Sequence, residues 1–372
     1  MRPARILVVD DEPGMLRAIE RVLGTAHHVS VSGSSKQALQ LAAAVDPQLA
    51  ILDIRMPELD GFELMARLKE RHADIDVILM TGSVDDQDDK LLRAIRGTAF
   101  YFIQKPFDRE VLRTLVDRCV ELRYQRDENR KHVARLEEEL AAARAFQQGL
   151  LPPSEAALPG ITIACRQTPS SELGGDLYDY VHERAGRTAL LVADVAGHGA
   201  YAAMLTAVVK SAFRAAAVDG YDPLAVTDRV RSGLAAFGYE RFVTLVAALV
   251  SPAEARLTFV NAGHPPALLW NDAGRRERLT GTGPLISPAL HGVTWEQRSV
   301  AVGPGDRLLL YTDGISDALF RDDDGIERIE AAIEHHPVGG ATLVDAILTE
   351  IARHAAGRPP LDDLTLLTAS LL

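Results

Sequence analysis

Two sets of acidic residues in this chain are placed to do phosphate chemistry. In the first, Asp10-Asp11, Asp53, Thr81 and Lys105 follow or close the short apolar runs Ile6–Val9, Leu49–Leu52, Val77–Met80 and Ala99–Ile103. Carboxylates gathered in one place call for a hard cation with oxygen ligands, and Mg²⁺ is the natural one. A carboxylate beside that cation and a lysine ammonium can attack a phosphoryl group, because both positive charges offset the charge building on the phosphoryl oxygens. The second set couples carboxylates to small neighbours: Gly174-Gly175-Asp176, Asp194-Val195-Ala196-Gly197, Asp313-Gly314 and Asp362-Asp363. Glycine lets the backbone come close to a ligand. With no Cys or His set at zinc spacing, these acids suit Mg²⁺ or Mn²⁺. Two such ions about 4 Å apart can share a water, lower its pKa and aim it in line at phosphorus.

The elements that must position these groups follow from periodicity. Residues 1–120 alternate β-rich runs with stretches of helical spacing, which predicts an α/β doubly wound parallel sheet whose ligands gather at the carboxyl ends of its strands. Residues 108–150 contain no proline and one glycine. There, Leu115, Cys119, Leu122, Arg126, Asn129, Val133, Leu136, Leu140, Ala143, Gln147 and Leu150 recur in alternating steps of four and three. That spacing predicts a long coiled-coil helix, about 65 Å if continuous, and hence a parallel homodimer. Leu151-Pro152-Pro153 ends the helix, since proline lacks the donor and clashes with the preceding turn. Residues 151–372 then mix β-rich runs (Thr188–Val195, Phe242–Val250, Arg256–Val260, Arg307–Tyr311, Leu364–Leu367) with helical stretches near Ala200–Val218 and Pro223–Phe237. This is the pattern of an α+β sandwich.

Composition narrows the function classes. A length of 372 residues asks for about two or three domains. The net charge is −12, most of it after residue 150, which argues against a protein living on nucleic-acid phosphate contacts. The two cysteines form no CxxC pair, so a reducing compartment is expected. The opening Met1–Asp10 is too short and too soon acidic for a signal-peptide core. The longest apolar runs fall short of the ~20 residues a bilayer requires, so a cytoplasmic protein without membrane contact is expected. Asp85–Asp89 reads as a solvated helix start. The pairs His27-His28 and His335-His336 and the run Asp322–Asp324 read as surface, Cys165 as a small core residue, and His198 and His264 as loop-ordering groups.

Val8-Val9-Asp10-Asp11-Glu12, the run Leu52–Gly61, Met80-Thr81-Gly82 and Lys105-Pro106-Phe107 resemble the receiver domain of two-component response regulators. The resemblance implies that Asp53 accepts a phosphoryl group from a histidine kinase or phosphotransfer protein. It also implies that Asp11, Asp53 and the Arg55 backbone carbonyl hold Mg²⁺, with Asp10 acting through water. Lys105 would pair with the phosphoryl oxygens, while Thr81 and Phe102 would form the switch. Leu173–Asp179, Ala193–Gly199, Asn261–Pro266, Tyr311–Gly314 and Asp362–Thr365, preceded by Gln147–Pro152, are similar to the SpoIIE-type branch of the metal-dependent PPM phosphatases. That likeness implies an αββα sandwich acting on phosphoserine or phosphothreonine, with an anti-sigma-factor antagonist as the expected substrate. It further implies two Mn²⁺ or Mg²⁺ ions: Asp194 bridging both, Asp313 and Asp362 on the first, and the Val195 carbonyl with Asp176 on the second. Asp363 is not expected to be a direct ligand. The combined expectation is a response regulator whose phosphatase output is controlled at Asp53. The alternative is a non-catalytic phosphatase-like adaptor that sequesters a partner; such a protein can dispense with the metal carboxylates, and here all are present.

Overall fold

The computed structural model describes residues 3–82, 101–197, 199–238, 241–319, 325–336, 339–355 and 357–372. His198, Asp85–Asp89 and Asp322–Asp324 lie outside the described residues. The chain divides into two compact units, residues 1–136 and 137–372.

The first unit holds β1 (Arg5–Val9), β2 (His28–Ser32), β3 (Leu49–Asp53), β4 (Asp76–Thr81) and β5 (Tyr101–Gln104) in a parallel sheet of order β2-β1-β3-β4-β5. Helix α1 (Pro13–Leu23) opens on proline, a residue whose fixed φ and missing N–H suit the first helical position. Helices α2 (Ser35–Val45) and α3 (Gly61–Arg71) are capped by the side chains of Ser34 and Asp60, each satisfying a free N–H of the first turn. Ile6, Val8, Ile51, Ile78 and Met80 enter one core, and Leu7, Val9, Leu52, Val77 and Leu79 enter another. Both faces of the sheet are covered, which is why the strands read as unbroken apolar runs. The strand order turns back between β1 and β3, and that places the crevice at the ends carrying Asp10 and Asp53.

Helix α4 runs from Arg109 to Leu150, 42 residues without a break. Its first turns bury Leu112, Val116 and Cys119 in the core of this unit. Further along, Arg123 and Arg126 donate to the buried Asp76 carboxylate at 3.1 Å each, and Arg130 pairs with Asp74. Three seam residues, Leu115, Cys119 and Arg126, therefore have partners inside this unit. Val133, Leu136 and Leu140 stay 46 %, 58 % and 40 % exposed.

His27 corrects one expectation. It is buried, with its Nδ1 accepting from the Ala4 N–H at 3.3 Å and its Nε2 facing Asp117 of α4 at 3.3 Å. A turn histidine looks solvated in sequence, because the helix that covers it lies some ninety residues away.

The second unit is a four-layer sandwich. One antiparallel sheet has the order β14-β11-β10-β9-β8, from β8 (Asp176–His182), β9 (Thr188–Val195), β10 (Val243–Ser251), β11 (Arg256–Ala262) and β14 (Arg298–Ala301). The other has the order β13-β12-β15-β16-β7-β6, from β6 (Glu155–Leu158), β7 (Ile161–Thr168), β12 (Ala267–Trp270), β13 (Arg276–Leu279), β15 (Arg307–Tyr311) and β16 (Leu364–Leu371). Along β9 the period-2 rule separates two cores. Ala189, Leu191, Ala193 and Val195 pack against α5 (Ala200–Ala215) and α6 (Pro223–Leu234), whereas Leu190 and Val192 fill the space between the sheets. A third core packs Leu309, Tyr311 and Leu366 against α7 (Asp313–Leu319), α8 (Gly325–His335) and α9 (Gly340–Ala355). Among the described residues one helical stretch, Ala200–Asp219, is long and apolar enough to cross a membrane; its Leu205, Val209 and Phe213 lie in the core beneath β9. Helices α7 to α9 and strands β6 to β8 and β12 to β14 lie outside the elements expected from the sequence, although α9 runs 16 residues and buries Leu343, Val344, Ile347 and Ile351 on one face.

Candidate functional site

In the first unit the sheet brings the expected residues together. Lys105 Nζ lies 2.6 Å from Asp10 Oδ2 and 3.0 Å from Asp53 Oδ1. Asp10, Asp11 and Asp53 each offer an oxygen within 4.8 Å of the other two, and among the described residues no other group of three does so. One lysine cannot offset three carboxylates, so the donor set fits a divalent cation. Burial pushes the Asp53 carboxyl above its ordinary range, although Lys105 pulls the other way. For Lys105, burial disfavours the charge, but the hydrogen bonds to Asp10 and Asp53 outweigh it and the pKa is raised. Thr81 closes β4, and its carbonyl accepts from the Lys105 N–H at 2.7 Å. Phe102 is half-buried on β5. Arg55 is exposed in the turn after β3. Gly61 is obligatory here: a Cβ would come 2.3 Å from the Asp53 carbonyl oxygen.

In the second unit the acids converge from both sheets. Asp176 opens β8 and sits directly across the ladder from Asp194 on β9. Asp313 opens α7, and Asp362 precedes β16. Burial first, then the charges of Asp313, Asp362 and Asp363, push the Asp194 carboxyl up to about 7. Burial and Asp362 likewise raise Asp313. Asp176 is raised by burial and by Asp194. Every charge named as acting on Asp194 is negative, and such a set fits hard divalent cations. Its oxygens are spread more widely than those of the first site. Val195 follows Asp194, and a Cβ at Gly175 would stand 2.5 Å from the Val195 carbonyl oxygen. Glycine is what lets the loop before β8 pass this close to that oxygen.

Asp362 and Asp363 divide two tasks. Asp362 is exposed, whereas Asp363 is buried. The Asp363 carboxylate accepts from the Ser170 N–H at 2.7 Å, the Ser170 hydroxyl at 2.9 Å and the Gly175 N–H at 2.5 Å. With its oxygens so engaged, Asp363 orders the loop before β8 rather than facing outward. Thr312, which sequence reasoning passed over, donates from Oγ1 to Asp176 Oδ2 at 2.8 Å and accepts from the Thr365 N–H at 3.1 Å. Its place next to Asp313 was the one signal that pointed to it; Ser170 offered none. His264 is buried, with Nδ1 2.7 Å from Thr244 Oγ1 and its N–H donated to Asn261. Burial pulls its pKa down to about 3, so it acts as a neutral loop anchor.

Known proteins share both halves. Residues 184–372 match the family model described as Stage II sporulation protein E (SpoIIE), and residues 6–117 match that of the response regulator receiver domain. The chain is 35 % identical over 153 residues to phosphoserine phosphatase RsbP of Bacillus subtilis, covering 40 % of this chain and 38 % of that protein. It is 36 % identical over 127 residues to the C4-dicarboxylate transport transcriptional regulatory protein DctD of Pseudomonas aeruginosa, covering 34 % of this chain and 27 % of that protein. The chain thus spans well under two thirds of these relatives. Among solved structures, the SiaA-PP2C domain of Pseudomonas aeruginosa superposes with a TM-score of 0.56 at 22 % identity, covering 65 % of this chain and 99 % of that one.

Proposed function

The chain belongs to the SpoIIE family and joins a response regulator receiver domain to a PPM-type phosphatase domain, and from that premise we propose a response regulator whose output is dephosphorylation of phosphoserine or phosphothreonine in a partner protein. The observation that carries this reading is the acid set around Asp194, whose carboxyl is raised by burial and by carboxylates alone. The name of the relative RsbP, a phosphoserine phosphatase, supports the same substrate class. A phosphorylated anti-sigma-factor antagonist is the substrate we propose.

In this reading Asp194 would be shared by two Mn²⁺ or Mg²⁺ ions, Asp313 and Asp362 would hold one, and Asp176 with the Val195 carbonyl would hold the other. When bound, the pair supplies a water acidic enough to attack phosphorus. Thr312 fixes the rotamer of Asp176 through its hydroxyl, and Asp363 fixes the loop that leads into it. In the receiver, Asp53 takes the phosphoryl group from a histidine kinase or phosphotransfer protein, and Lys105 stands ready for its oxygens. Asp10, Asp11 and the Arg55 carbonyl complete the Mg²⁺ set, while Thr81 and Phe102 respond to the phosphate. Cys119 and Cys165 are buried and unpaired, which agrees with a cytoplasmic protein.

Purified chain is expected to release phosphate from a phosphoserine protein with Mn²⁺ or Mg²⁺ and not after chelation; turnover that survives chelation would overturn the reading. Asp53→Ala is expected to keep this metal-dependent basal rate while losing any response to a small-molecule phosphodonor. Loss of all activity in the folded variant would show that the two sites are not separate. For assembly, Val133, Leu136 and Leu140 keep heptad spacing on an exposed face, and a second copy of the chain is the proposed occupant. Light scattering at micromolar concentration should report a dimer; a monomer both with and without Asp53 phosphorylation would exclude it.

A further inference from the structure

We propose that Gln147, near the C-terminal end of α4, is a positioning residue of the phosphatase site, setting the loop that aims Asp176 and thereby how tightly the carboxylates hold Mn²⁺. The inference rests on the phosphatase reading above. Gln147 Nε2 donates to the Gly174 carbonyl at 2.7 Å, and the Gly174 N–H donates back to Gln147 Oε1 at 3.2 Å. A side-chain amide matched to both polar groups of one peptide residue fixes that residue's position and its rotation. One turn earlier, Arg144 donates to the Glu172 carbonyl and pairs with its carboxylate.

Gly174 stands between the helix and the acids. On its far side, a Cβ would lie 2.5 Å from Asp363 Oδ2. The next residue, Gly175, donates its N–H to that same oxygen, and the Asp176 N–H approaches it at 3.4 Å. Asp363 is the peptide neighbour of Asp362, and its N–H donates to Asp362 Oδ1 at 2.8 Å. A shift of Gly174 therefore reaches Asp176 through the backbone and Asp362 through Asp363. There is no slack on the acid side, because the loop touches the Asp363 carboxylate and the Val195 carbonyl without room for a methyl group. On the helix side there is room. A cavity of about 220 Å³ lies beside the contact, lined among others by Gln147, Gln167 and Tyr178, so packing does not hold the Gln147 side chain on every side.

The test compares metal-stripped full-length chains by calorimetric Mn²⁺ titration and by amide hydrogen exchange over residues 170–176. Gln147→Leu keeps the bulk and removes both hydrogen bonds. It is expected to weaken Mn²⁺ binding about tenfold, as loss of an outer-shell partner does, and to speed exchange at Gly175 and Asp176 as well as at Gly174. Gln147→Glu, which keeps the acceptor for Gly174 N–H and loses the donor, should fall between, and it decides the question if the leucine variant does not fold. Gln148→Leu, on the exposed neighbour, should match wild type. Faster exchange confined to Gly174 with unchanged Mn²⁺ affinity would overturn the proposal, leaving Gln147 a docking contact only. The same holds if Arg144→Leu weakens Mn²⁺ as much as Gln147→Leu, since general helix docking would then explain both. Wild-type chain that binds no Mn²⁺ would instead count against the phosphatase reading.

Discussion

Asp194→Asn is expected to lose metal-dependent turnover by at least about a thousandfold and, in metal-free buffer, to be more stable than wild type. The activity loss follows from the proposed bridging role, since an amide cannot supply the negative charge that two cations share. The stability gain follows from the environment of the carboxyl, which burial and three neighbouring carboxylates push up to about 7. A folded-state pKa above the unfolded value of about 3.9 means that the folded chain holds this proton longer. Ionisation between about pH 4 and pH 7 therefore costs stability, and the whole cost is present above pH 7. Asparagine has no proton to lose. The stability gap should be largest near pH 8, on the order of 2–4 kcal/mol, and should close toward pH 4. Saturating Mn²⁺ should reverse the order by stabilising the wild type alone. Undiminished turnover in the variant would refute the assignment, and lower stability at pH 8 would refute the electrostatic account.

The second large effect is on stability alone. Asp179 on β8 is fully buried and receives Arg214 Nε at 2.7 Å, Arg214 Nη2 at 2.5 Å and Lys210 Nζ at 2.8 Å, both cations coming from α5. Removing one partner of a buried pair leaves an uncompensated charge, which costs about 3–5 kcal/mol. Arg214→Met should approach the lower end of that range, because Lys210 remains. The double change Lys210→Met with Arg214→Met should exceed it. Asp179→Asn should cost less, about 1–2 kcal/mol, because the cations are 17 % and 42 % exposed and can turn to water. Urea unfolding of the three variants gives the order directly. If Asp179→Asn proves the most damaging, the cost of a stranded carboxylate does not govern this cluster.

The receiver was legible almost residue by residue, and the reason is topological. In a parallel sheet, functional groups follow apolar strands in sequence, so Asp10, Asp53, Thr81 and Lys105 each carry their own marker. The phosphatase acids stood out for a different reason: Asp176 and Asp313 have a glycine beside them, Asp362 has a second aspartate, and Asp194 has a glycine three residues on. What could not be read was mostly partnership across long sequence distances. His27 looked solvated until Asp117 and α4 were in place. Arg126 fell on a heptad position, yet its guanidinium is drawn to Asp76, a buried carboxylate at the start of β4. Gln147 fell on the same seam and serves Gly174 instead. Heptad spacing records which side of a helix a residue occupies, but not what meets that side. The choice between Asp362 and Asp363 had the same limit, because only the folded strand shows which carboxylate turns inward to Ser170 and Gly175.

Strand β16 pairs with β15 on one side and with β7 on the other, and this has a kinetic consequence. The loop before β16 carries Asp362 and Asp363, so the acid set stays incomplete until a strand ending at Leu371 has inserted beside one that begins at Ile161. Such pairings close very long loops, and they are slow to form. Helices α5 and α6, with β8 to β11, can gather by contacts nearer in sequence. Recovery of phosphatase activity after dilution from denaturant should therefore trail the recovery of helical circular dichroism, and the lag would time the arrival of β16.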